Sequence, residues 1–76
     1  MMTLSEKRQM MLDAIVAKAQ GHVEVHKANV EIYLSNPAGI GEHSDVTEAV
    51  IAELDKMAAA YDRIEMIEKY FSKNDE

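Results

Sequence analysis

The ten residues Ser35-Asn36-Pro37-Ala38-Gly39-Ile40-Gly41-Glu42-His43-Ser44 decide the fold of this chain. They hold its only proline and two of its three glycines, and a long stretch of helical periodicity lies on either side. Pro37 has no N–H and disfavours helical geometry at Asn36, so a helix arriving from the left stops near Leu34 or Ser35. Gly39 and Gly41 let the chain reverse. Ser44 or Asp45 then accepts a hydrogen bond from the free N–H groups that open a second helix. The reading is all-α: an antiparallel two-helix hairpin with a helix over about 4–35, a reversal over 36–44 and a helix over about 45–71, all within one domain, 1–76.

Upstream, Thr3-Leu4-Ser5-Glu6 fits a capping box, the acidic residue three places after the threonine. Leu12, Val16, Ala19, Val23, His26, Val30 and Tyr33 then recur at steps of four and three, with Ile15 and Leu34 beside them. That spacing is a seam on one helix face. Asp13, Gln20, Glu24, Lys27 and Glu31 fall on the far side as a solvated face.

Downstream, Val46, Val50, Leu54, Met57, Tyr61, Ile64, Ile67 and Phe71 mark the answering face, with Ala49 and Ala60 alongside. Ile40 is placed to fold inward at the turn, and Asn74-Asp75-Glu76 to fray. Placing Tyr33 opposite Val46 makes facing residues sum to 79 or 80. Val23 then meets Met57, Val16 meets Ile64, and His26 meets Glu53. Burying either polar residue alone is costly, whereas a buried His26–Glu53 pair satisfies both.

Each helix also carries a second stripe of small and apolar residues: Met11, Ala14, Gly21, Val25, Ala28 and Ile32 on the first, Ala52, Ala59, Met66 and Tyr70 on the second. Gly21 costs roughly 1 kcal/mol against alanine in a helix interior, which favours a reading as a close contact between chains over a tolerated accident. A two-helix chain of 76 residues buries little surface, and with no cysteine neither a disulfide nor a cysteine zinc site makes up the deficit. Self-association is the remaining ordinary remedy. The expected partner is therefore a second copy, giving a dimeric four-helix bundle through Ala14, Gly21, Val25, Ala28, Ile32, Ala52 and Ala59.

The balance of 14 acidic against 8 basic residues, a formal charge of −6, repels phosphate and argues against nucleic-acid binding. No apolar run approaches the ~20 residues that cross a bilayer, no secretory layout opens the chain, and no face is lined by Lys and Arg. A cytoplasmic protein without a membrane partner is the expectation.

Catalytic motifs are incomplete. Gly39-Ile40-Gly41 matches neither a dinucleotide fingerprint nor a P-loop, and Glu42, Asp45 and Glu48 already occupy the helix end where a phosphate would sit. His22 and His26 share a face four residues apart, a spacing that can chelate a metal. Neither His-Glu-x-x-His nor Glu-x-x-His is completed around them, so a metal site would need His22, His26, Glu53 and a second subunit. Glu65-Met66-Ile67-Glu68 supplies only half of a magnesium-binding carboxylate set. Ser5, Ser35, Ser44 and Ser72 are explained as caps or chain-end residues. Met10, Met11, Met57 and Met66 are read as gap fillers before an adaptable binding surface. No enzyme, cofactor or metal follows; the alternative kept open is a metal- or small-molecule-binding protein using His22, His26 and Glu53.

The segment Lys27 to Asp45, and above all Asn36-Pro37-Ala38-Gly39-Ile40-Gly41-Glu42-His43, resembles short proteins encoded by T-even-type phages of marine cyanobacteria. The likeness runs on to Lys69-Tyr70-Phe71. It implies a viral or marine source and a host-cell cytoplasm as the site of action, with a host or phage protein as a further partner. It implies no activity and offers no catalytic residues.

Overall fold

The computed structural model describes residues 1–35 and 43–72, with side chains from residue 46 onward in the second segment. Two helices make up the architecture: α1, Leu4–Ser35, and α2, His43–Tyr70. The expectations placed on Pro37, Gly39, Ile40 and Gly41, and on the last residues from Lys73, lie outside the described residues.

The start of α1 is closed by its capping box. Thr3 N donates to Glu6 Oε1 at 2.9 Å, and Glu6 N donates to Thr3 Oγ1 at 3.0 Å, so two N–H groups near the helix start are satisfied reciprocally. At the other end the Ser35 hydroxyl donates to the Glu31 carbonyl at 2.7 Å, the bond back to the preceding turn that a helical serine makes. α2 begins at His43, two residues earlier than the sequence suggests. Ser44 and Asp45 therefore stand inside its first turn rather than ahead of it.

Two widely separated contacts fix an antiparallel register. His26 meets Glu53, and the Arg8 guanidinium donates to the Phe71 carbonyl at 2.9 Å. Each pair sums to 79. The pairing is thus constant from the middle of the hairpin to its open end, without slippage over some 18 residues of α1.

Only Ala19, Ala60 and Ile64 are buried among the described residues, with Val16 and Val23 packed against them. Ala19 and Ala60 are 1% and 2% exposed. These two alanines lie at the buried contact line between the helices, with larger residues beside them. This corrects the sequence reading of α2: Leu54, Tyr61 and Phe71 are about half exposed, and the seam runs instead through Val46, Ala49, Val50, Glu53, Met57, Ala60, Ile64 and Ile67. At ~100° per residue Leu54 and Tyr61 lie well around the helix from Ala60, so their size had drawn the expected face off centre. On α1, Tyr33, Ile15 and Leu34 are likewise exposed, as are Met10, Met11 and Met66, which fill no core gap. Met57 does pack in the seam.

The molecule extends 58 × 23 × 14 Å. Two helices side by side make a single layer, and it has two open sides. No described helix is long and apolar enough to cross a membrane.

Candidate functional site

The polar residues of the seam gather into one cluster. His26 Nδ1 lies 2.6 Å from Glu53 Oε1, and Asn29 Nδ2 donates to the same oxygen at 3.0 Å. An ionised carboxylate only accepts, so Nδ1 carries the proton and donates. The His26 and Glu53 side chains are 20% and 13% exposed. The pair is part-buried, not buried as the sequence suggested, because a single layer has no second layer to cover its seam. Two hydrogen bonds hold the Glu53 carboxyl below its ordinary range, that from Asn29 first and that from His26 second. Partial desolvation opposes them, and the positive fields of His26 and Lys56 add to them.

Asn29 is the member sequence reading missed. It lies three residues after His26, hence one turn along α1 on the same flank, and that spacing was the available signal. His22 stands one turn before His26, with ring centroids 6.2 Å apart in an edge-on arrangement, and makes no hydrogen bond to Glu53. Among the described residues no group of three or more His, Cys, Asp or Glu side chains is gathered as metal ligands would be. His22, His26 and Glu53 are therefore near one another without converging on a shared point.

The two open sides of the layer differ in chemistry. One groove is lined by Ile15, Lys18, Ala19 and His22 of α1 and by Arg63 of α2. The opposite groove is lined by Gln9, Asp13, Gln20, Ile67 and Glu68 among others. Residues seven apart continue each flank, since seven residues are nearly two helical turns. On the Arg63 side, Met11, Lys18, Val25 and Ile32 follow one another on α1, and Ala52, Ala59 and Met66 on α2. Val25 and Ile32 are 56% and 62% exposed.

The seven residues expected at an oligomer contact, Ala14, Gly21, Val25, Ala28, Ile32, Ala52 and Ala59, are all exposed in the single chain. A Cβ added at Gly21 would meet nothing within 4 Å, so no close approach within the hairpin accounts for that glycine. On the Glu68 side, Leu54, Tyr61 and Glu68 are again seven apart, and the first two are exposed.

Lys18 and Arg63 make no hydrogen bond or ion pair among the described residues, and neither do Glu65 and Glu68. Among the described residues His26–Glu53, with the Asn29 hydrogen bond to the same carboxylate, is what joins the two helices through side chains alone. Comparison of the chain with protein-family models, with curated proteins and with solved structures finds no match.

Proposed function

We propose that this chain is a small, non-catalytic helical interaction protein that completes its core by self-association, a second copy covering an open side of the hairpin. One observation carries the reading: among the described residues the single layer buries three small or medium side chains, while Met11, Val25, Ile32, Leu54, Tyr61 and Met66 stand exposed on its flanks. A hairpin with so little apolar burial has little to set against the conformational entropy of ordering two long helices. Covering a flank supplies the missing area, at roughly 25 cal/mol per Å² of apolar surface removed from water.

A partner of another kind, a host or phage protein, would use the same exposed flanks. The cluster of His26, Asn29 and Glu53 serves register in this reading: it is satisfied only when the helices pair at a sum of 79. The assembly acts in a cytoplasm.

Sedimentation equilibrium and circular dichroism over a dilution series test the proposal together. The expected result is a mass above that of one 8.5 kDa chain at tens of micromolar, with thermal stability falling on dilution. A monomer whose unfolding midpoint does not depend on concentration would overturn it.

A further inference from the structure

Resting on self-association, we propose that the copies join head to tail: α2 of one copy lies antiparallel on the Lys18–Arg63 side of the next, with Glu68 of one copy meeting Lys18 of the other. The argument begins with charge. Lys18, His22 and Arg63 line one groove, and Lys18 and Arg63 have no acidic partner among the described residues. Lys18 and His22 lie within a turn of the middle of α1. If two copies applied this same side to each other over its full length about a two-fold axis, the cationic groups would meet their own counterparts. Like charges juxtaposed at an interface select against that arrangement.

The opposite side of the hairpin offers the complement. Its α2 stripe presents Leu54, Tyr61 and Glu68 at intervals of seven, with Glu65 beside the last. The receiving stripe on α1 is Ile32, Val25 and Lys18, at the same intervals. Laid antiparallel with residue numbers summing to 86, Leu54 faces Ile32, Tyr61 faces Val25 and Glu68 faces Lys18. Glu65 then falls near His22, with Arg63 across the groove. Each step of seven spans about 10.5 Å on both helices, so all three pairs match at once. Apolar residues meet apolar residues, and the unpaired carboxylates meet the unpaired cations.

The two surfaces lie on different sides of one layer, so the contact is heterologous. Such a contact leaves one of each surface free at the ends, and the assembly grows or closes into a ring rather than stopping at two.

Charge reversal tests this with the full chain. Lys18 and Glu68 are exposed, so Lys18→Glu and Glu68→Lys are expected to keep helical circular dichroism at high concentration. Sedimentation velocity should show each variant alone with an apparent dissociation constant raised by about tenfold or more, since reversal places like charges at the contact. An equimolar mixture of the two variants should recover wild-type association, because each contact between unlike chains again joins opposite charges. Association of Lys18→Glu alone at or above the wild-type level would overturn the head-to-tail contact in favour of a two-fold one. Failure of the mixture to recover would overturn the Glu68–Lys18 pairing. A wild-type chain that remains monomeric would instead overturn self-association itself, a separate result.

Discussion

Ala19 and Ala60 face each other across the middle of the hairpin, almost wholly buried, in the register that also pairs His26 with Glu53. Two methyl groups set the spacing of the helices at that point. Ala60→Leu forces extra methylenes into this buried contact and is expected to destabilise the fold by about 1–3 kcal/mol. A urea midpoint compared at equal protein concentration reads the effect. An unchanged midpoint would mean that the helices are not held together at this pair.

The cluster around Glu53 gives a second prediction. One carboxylate oxygen accepts from both His26 and Asn29, so the three side chains act as a unit. His26→Ala and Asn29→Ala are each expected to lower the midpoint, and the double variant to lose less than the sum, because each remaining bond depends on the placement of the same carboxylate. Glu53→Ala should cost more than either, since it leaves two donors without their acceptor. Strict additivity would show that the two bonds are independent. Stoichiometric metal in protein purified without chelator, lost in His26→Ala, would instead revive His22, His26 and Glu53 as ligands.

How far the sequence foretold this arrangement depended on what each signal measures. The helices, the capping box and the register were legible because caps and the three-four spacing are local or strictly periodic. His26 opposite Glu53 followed from one assumed pairing, Tyr33 with Val46, carried along two rigid helices. The placing of the seam on α2 was less legible. Hydrophobic size pointed to Leu54 and Tyr61, whereas close packing of two helices prefers Ala49 and Ala60 at the contact line. Asn29 escaped notice because a polar residue beside a seam reads as solvated until a partner is known to reach it. The differing chemistry of the two sides could not emerge from either helix alone, since it depends on which flank of α1 shares a side with which flank of α2.

Acid should weaken the fold through Glu53. Its carboxyl is held below the ordinary range in the folded chain, so the unfolded chain binds the proton more tightly. The stabilisation is fully present above the unfolded value of ~4.3 and is lost as pH falls from there through the lower folded value. The measurement is a urea midpoint followed from pH 6 down to about pH 3. Wild type is expected to lose more over this window than Glu53→Gln, in which that proton is no longer taken up. Parallel curves for the two proteins would remove Glu53 from the acid response.

Gly21 supplies the last prediction. It stands in the interior of α1, where glycine costs about 1 kcal/mol relative to alanine, and an added methyl would meet only open space. In the head-to-tail register its level on the neighbouring copy is that of Glu65, a long side chain that can move aside, rather than another small residue. Gly21→Ala should therefore raise stability by about 1 kcal/mol while leaving the dissociation constant unchanged. Thermal melts at several concentrations separate the two effects, because a purely helical gain shifts every curve by a similar amount. A variant that gains helicity yet associates more weakly would place a neighbour's backbone directly against Gly21. That outcome would move the contact toward the face of α1 that carries Ala14 and Ala28.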